Sequence, residues 1–229
     1  MAFTKKSLEM IATLPKLKKV VSFGYPIVLM HPDKVQNLFR IYLNQTDLLS
    51  NTFAQRIRKV HGTSQQYFVA TERLFKKLGA TFHAVDIVNP YNCEIQHDLN
   101  YVFPDKLMTE LGNACLTIDP GTIEHVFYAG KAFVSLYHLA RVGGHIIHVS
   151  APIAPNHGLW NPQEKLFLRF YLANEAEIIC AEKYWTASPE PMPFVGGRYR
   201  LNKASELRST VMVRKTNARE IVLPKDYTT

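Results

Sequence analysis

Cysteine is scarce in this chain, and its spacing pairs nothing. The three cysteines, Cys93, Cys115 and Cys180, are far apart and odd in number. That argues against a disulfide framework and predicts a reducing, cytoplasmic setting. No Cys-x-x-Cys pair occurs, so a zinc ribbon is excluded. No apolar run approaches the ~20 residues that a membrane-spanning helix needs, and no membrane partner is expected. The first residues, Met1-Ala2-Phe3-Thr4-Lys5-Lys6, lead into no apolar segment with a small-residue cleavage site, so no secretory signal is expected. Internal repeats and low-complexity tracts are missing as well.

What remains has the composition of a globular α/β domain. The chain has 229 residues, 47% apolar and 20% charged, enough to bury a sizeable core. Its 27 basic and 19 acidic residues leave a formal charge of +8, which favours anionic partners. The basic residues are scattered in short groups such as Lys16-Lys18-Lys19 and Arg56-Arg58-Lys59. A solvated surface is therefore favoured over a nucleic-acid interface, which would gather them on one face.

Short β-branched runs alternate with helical stretches, the pattern of a mostly parallel sheet with crossover helices. Strands are expected at Lys19–Gly24, Thr81–Ile87, Glu94–Leu99, Ala114–Asp119 and His145–Ser150. Helices are expected at Pro32–Asn44, Phe68–Leu78, Pro104–Leu111, Glu124–Arg141 and Pro162–Ala173, with Gly143-Gly144 as a turn. Ala176–Tyr184 and Ser209–Lys215 read as a closing antiparallel pair, and the Pro-rich Ser188–Pro193 as a loop between them. The reading is one Rossmann-like, seven-stranded α/β domain over residues 1–217, with an insertion at 45–67 and a peripheral tail at 218–229. Gly24, Asp86, Asp98 and Asp119 all close strands, and in such sheets the ligand crevice lies at the carboxyl ends. The alternative is that the acids cap helices or start turns.

Four segments then stand out: His97-Asp98-Leu99-Asn100, Ile118-Asp119-Pro120-Gly121-Thr122-Ile123-Glu124-His125-Val126-Phe127, Gly143-Gly144-His145 and Asn156-His157-Gly158. Together they resemble a bacterial and phage group of class I S-adenosylmethionine (SAM)-dependent methyltransferases, over roughly residues 18–185. The resemblance implies SAM as cofactor. Asp86 would accept from the ribose hydroxyls, Asp98 with Leu99 would meet the adenine, and Gly24 and Asp119 would flank the methionine end. The first turn departs from the wider superfamily. Phe23-Gly24-Tyr25-Pro26 has one glycine where two usually let backbone approach the cofactor, and its proline lacks an N–H.

Three catalytic candidates follow. His157 could take a proton from an acceptor hydroxyl, because an imidazole titrates near neutrality; the alternative is a loop histidine bonded to backbone. Glu124 and His125 either face the cofactor and acceptor or simply begin a helix. His145 and His148 are three residues apart on one strand, so they point to opposite faces and share no metal. No metal site is expected. Tyr25, Trp160 and Tyr171 are read as core before lining.

The function expected is methyl transfer to a hydroxyl of a small molecule or glycan. A methyltransferase-like scaffold without activity, phage-associated for example, is the second reading, motivated by the single-glycine turn. Nucleic-acid methylation ranks third, because Asp119-Pro120-Gly121-Thr122 offers no aromatic to stack a flipped base. The oligomeric state is open.

Overall fold

A computed structural model describes residues 2–88, 91, 95–153, 157–185, 188–193 and 207–225. Asn156 of the Asn-His-Gly segment, with Cys93 and Glu94, lies outside the described residues. The chain opens with a short strand β1 (Ala2–Phe3) and helix α1 (Lys5–Ala12). The Thr4 hydroxyl oxygen accepts the Ser7 N–H at 3.0 Å and so caps α1. Next come β2 (Lys19–Phe23), β3 (Ile27–Val28) and α2 (Pro32–Phe39). Pro32 sits in the first turn of α2, where its missing N–H costs nothing. The helix stops five residues before Asn44 because Arg40 takes a left-handed conformation, φ 53°.

The expected insertion holds a short 3-10 turn at Gln45–Asp47 and helix α3 (Asn51–His61). Then follow α4 (Thr71–Lys77), β4 (Thr81–Asp86), β5 (Ile95–Gln96), α5 (Asp105–Leu111) and β6 (Ala114–Asp119). The second half carries α6 (Ala129–Leu139), β7 (Ala140–Ile153), α7 (Glu164–Ala173), β8 (Glu177–Trp185), β9 (Ser188–Pro193) and β10 (Leu207–Arg214). No helix among the described residues is long and apolar enough to cross a membrane.

The fold is α/β and Rossmann-like. The main sheet has the order β5-β4-β2-β6-β7-β10-β8-β9. The pairs from β5 through β7 are parallel, and those from β7 through β9 antiparallel. Seven of these strands are the ones expected, and β9 is added at the edge.

Side chains alternate between two apolar layers, as the period of two in a strand requires. Val21, Phe23, Ile146 and Val211 pack with α6 and α7 through Phe133, Tyr137, Phe170 and Tyr171. Val20, Ile147 and Met212 pack on the other face against Leu8, Val35, Leu74 and Phe75 of α1, α2 and α4. Both faces of the sheet are thus covered.

Four expectations need correction. Glu124–Arg141 is not one helix: residues 123–125 make a single 3-10 turn, and α6 begins only at Ala129. The cause is Asp119, whose carboxylate captures the N–H groups of Gly121, Thr122 and Ile123 and closes a tight turn first. Gly143-Gly144 is not a turn but lies within β7, where the register against β6 shifts. A Cβ on Gly144 would lie 2.8 Å from the Ala114 carbonyl oxygen, so the bulge requires glycine there. Ser188–Pro193 is an edge strand paired to β8 rather than a loop, a position where prolines are tolerated. The strand expected at 94–99 is only Ile95–Gln96 long, because Asp98 begins a turn: its Oδ1 accepts the Asn100 N–H at 2.9 Å.

Candidate functional site

The strand order reverses between β2 and β6, so their carboxyl ends diverge into a crevice. The Thr122 hydroxyl bridges this point by donating to the Phe23 carbonyl. Asp119, the last residue of β6, is spent within the protein. Its Oδ1 accepts from Gly121 N at 3.3 Å, Thr122 N at 2.8 Å and Ile123 N at 3.1 Å. Its Oδ2 accepts from His148 Nδ1 at 2.9 Å.

The β6/β7 register sets Asp119 beside His148. A carboxylate only accepts, so a proton lies on Nδ1, and in the neutral ring His148 Nε2 accepts the hydrogen bond that the Tyr171 hydroxyl donates at 2.6 Å. His148 and Tyr171 are fully buried, with the Phe133 ring stacked 4.8 Å from the imidazole. Burial, with the Asp119 charge behind it, holds the Tyr171 hydroxyl well above its ordinary pKa. Asp119, His148 and Tyr171 form a closed polar chain in an apolar layer. It fixes the turn that carries Glu124.

Glu124 is 2% exposed yet carries a carboxylate. Its Oε2 accepts the Ala151 N–H at 3.1 Å, and its Oε1 lies 2.7 Å from His157 Nε2. Room for this carboxylate comes from Gly121, φ 91°, where a Cβ would stand 3.3 Å from Oε1. Residues 157–159 lie against Glu124 and place His157 beside it. The Glu124 carbonyl accepts the Leu159 N–H at 2.8 Å, and Gly158, φ 69°, passes so close that a Cβ would lie 2.6 Å from the same oxygen. Burial raises the Glu124 pKa, with Asp119 nearby adding to it and the Ala151 N–H and His157 opposing. The adjoining His125 is exposed, and its ring stands 5.0 Å from that of His157, nearly perpendicular. Partial desolvation and the neighbouring His157 lower its pKa.

Glu124 and His157 line a cavity of about 870 Å³. Pro120, Gly121 and Val149 form its floor side, and Ala2–Lys5, Leu29–His31 and His61 its other walls. Lys5, Lys34 and Arg208 make the lining rich in positive charge. Among the described residues, Glu124, His125 and His157 also form a set of possible metal donors, with one ligand atom from each within 4.8 Å of the others.

Gly24, Asp86, Asp98 and Leu99 lie apart from this cavity, along the carboxyl ends of β2, β4 and β5. Gly24 adopts φ 78° and donates its N–H to the Val85 carbonyl at 2.6 Å. The turn that follows is anchored to α4. The Tyr25 hydroxyl donates to Glu72 Oε2 at 2.5 Å and accepts the Thr71 N–H at 2.8 Å. The Pro26 carbonyl accepts the Thr71 hydroxyl at 2.5 Å. Asp86 accepts the Val88 N–H at 3.3 Å, and burial raises its pKa. Asp98 Oδ1 also accepts from Asn100 Nδ2 at 2.8 Å, and Leu99 is buried in the core. Two groups therefore emerge: Glu124, His125 and His157 with Asp119 behind them, and a rim of Gly24, Asp86, Asp98 and Leu99.

Of the aromatics, Tyr25 and Tyr171 are core, and Trp160 is half-buried with its Nε1–H on the Val126 carbonyl at 3.2 Å. His148 and Tyr171 matter to the site in a way that spacing alone does not announce. They meet Asp119 only through strand register and the packing of α7.

No protein-family model and no curated protein matches the sequence. Solved structures do resemble the fold. TehB from Haemophilus influenzae aligns with TM-score 0.52 at 11% identity, covering 93% of this chain and 63% of TehB, so the chain spans less than two thirds of that protein. A 1,6-didemethyltoxoflavin-N1-methyltransferase from Burkholderia thailandensis, solved with S-adenosylhomocysteine, aligns at TM-score 0.46 and 13% identity over 92% of this chain and 77% of its own. A TehB-like SAM-dependent methyltransferase from Corynebacterium glutamicum aligns at 0.45 and 12% over 91% and 85%. At 11% identity the likeness to TehB shows a shared fold.

Proposed function

We propose that this chain is a SAM-dependent methyltransferase acting on a hydroxyl of a small molecule or glycan. The observation that carries the reading is the Glu124–His157 pair, 2.7 Å apart, on the wall of a cavity of about 870 Å³ beside the carboxyl ends of a Rossmann-like parallel sheet.

The residues expected at a cofactor rim suit it chemically. Asp86 is a desolvated carboxylate at the end of the strand beside β2, able to accept from vicinal hydroxyls. Gly24 keeps a positive φ, so backbone is bare where the methionine end would pass. The proline at 26 removes no needed donor, because its carbonyl and the Tyr25 hydroxyl tie the turn to Thr71. Leu99 and Asp98 offer an apolar wall and an acceptor to the adenine. Asp119 contributes by shaping the 119–124 turn that borders the methyl.

When bound, SAM supplies a methyl group on a sulfonium with a neutral leaving group. What the protein must add is alignment, exclusion of water and a destination for the acceptor's proton. His157 Nδ1 takes that proton. Glu124 holds the Nε2–H, fixes the tautomer and stabilises the imidazolium that forms. A carboxylate kept from water does this more strongly than an exposed one.

The test is calorimetric titration with SAM, followed by transfer of labelled methyl to a panel of hydroxyl acceptors. Binding, with transfer lost at least ~100-fold in His157→Ala, is expected. No binding at millimolar SAM would overturn the reading. The second reading, an inactive methyltransferase-like scaffold, draws on Gly24 lying apart from the cavity. SAM binding without transfer to any acceptor class would favour it.

A further inference from the structure

We propose that Glu124, His125 and His157 form a site for one divalent transition-metal ion, with an open coordination position toward the cavity. The three donors come from two separate segments, residues 124–125 and 157, and the fold alone joins them. One carboxylate oxygen and one nitrogen from each ring lie within 4.8 Å of one another. The set is buried at one end, with Glu124 2% exposed, and open at the other, where His125 is exposed.

Two ligands each about 2.1 Å from a tetrahedral metal stand about 3.4 Å apart. The Glu124–His157 pair, now at 2.7 Å, must open slightly, and the separations to His125, all within 4.8 Å, must settle to the same length. The first change replaces a hydrogen bond with two metal bonds. The second falls to His125, the exposed member of the set.

Glu124 is braced for such a load. Ala151 N–H holds its second oxygen, and its backbone carbonyl holds Leu159 beside His157. A ligand carboxylate oriented by a second hydrogen bond is what a metal site requires of its surroundings. Asp119 lies close enough to act on Glu124 electrostatically and adds negative potential behind the site.

Donor chemistry names the class of ion. Two imidazoles and a carboxylate suit zinc, cobalt, iron(II) or manganese(II) and disfavour magnesium and calcium, which prefer oxygen donors throughout. Three protein ligands leave a fourth position free, the arrangement of reactive zinc sites. Glu124 and His157 both line the cavity, so that position opens onto it. The inference concerns the site without SAM: with a metal bound, Glu124 and His157 are ligands and not the proton-accepting pair of the proposed transfer, so the two roles belong to different states of the site.

The test uses the full-length chain without SAM. Cobalt(II) chloride is titrated while the visible spectrum is recorded, and zinc chloride is titrated calorimetrically. One equivalent should bind, with the intense visible bands of low-coordinate cobalt, and zinc should displace it. His125→Ala removes an exposed ring and should fold as the parent does by circular dichroism. It should weaken zinc at least ~10-fold, the scale on which metal sites respond to lost support. His138→Ala, on the exposed side of α6, should bind as the parent does. Two results would overturn the proposal: no cobalt bands at saturating metal, or bands and affinity unchanged in both His125→Ala and His157→Ala.

Discussion

Gly158→Ala is the sharpest probe of how the Glu124–His157 pair is assembled. Gly158 has φ 69°, and a Cβ there would stand 2.6 Å from the Glu124 carbonyl oxygen and 3.2 Å from its carbonyl carbon. Both are backbone atoms, so no side chain can swing aside. The left-handed conformation costs an L residue about 1–2 kcal/mol. Forcing an extra methyl against packed structure adds about 1–3 kcal/mol. The total expected loss is therefore about 2–5 kcal/mol. Gly62→Ala isolates the first effect, because Gly62 has φ 60° and nothing within 4 Å of its would-be Cβ. It should lose only about 1–2 kcal/mol. Urea denaturation of both variants gives the difference directly. In the folded variant the 157–159 loop must lift away from Glu124, so the nitrogen-bound proton shared by His157 and Glu124 should disappear from the downfield NMR spectrum. A Gly158→Ala protein no less stable than Gly62→Ala, with that resonance intact, would refute the argument that this glycine is what admits His157 to Glu124.

Two further predictions concern the histidines. His148→Phe keeps the ring stacking but leaves Asp119 Oδ2 and the Tyr171 hydroxyl without their partner, both in a dry layer. It should cost about 2–4 kcal/mol in urea denaturation, and a loss under about 1 kcal/mol would show the chain of hydrogen bonds to be dispensable. His125 should titrate below 6.5, as followed by its ring-proton NMR shifts. Between its folded pKa and 6.5 the unfolded chain binds the extra proton and the folded chain does not, so this residue's contribution makes stability rise with pH across that window and fall on acidification. A midpoint at or above 6.5 would contradict the desolvation assigned to it.

The parallel strands were readable because their cause is local. Val20, Val21 and Phe23, or Leu116 and Ile118, are β-branched or large apolar residues buried on both faces, and they show as short apolar runs. The helix at 124–141 misled because its apolar spacing continues through Val126 and Phe127, while the decisive force is three N–H groups drawn to a side chain at 119. Helix α1 went unread, being eight residues long and capped by a single threonine hydroxyl. The site was visible as residues and hidden as geometry. Glu124, His125 and His157 stand out in their motifs, but their meeting depends on how closely Gly158 lets residues 157–159 pass the Glu124 backbone. The Asp119–His148–Tyr171 chain depends on a register, Asp119 opposite His148, and on where α7 settles. Neither leaves a trace in periodicity.

The cavity's outer wall is held differently from its inner one. Gly121, Glu124 and Val149 belong to the eight-stranded sheet and its turns, whereas Ala2 through Lys5 belong to a parallel ladder only two residues long, Ala2 with Ile27 and Phe3 with Val28. This ladder is pinned to the core by Phe3 on its β1 side and by Ile27 and Val28 on its partner. Its opening is thus a local event with its own small free energy, far below that of unfolding the sheet, and amide exchange there should outrun exchange in β6 or β7 by orders of magnitude. Ala2 itself lines the cavity, so a segment attached ahead of it starts from the cavity wall. A purification handle fused ahead of Ala2 would compete with a ligand for this side of the cavity.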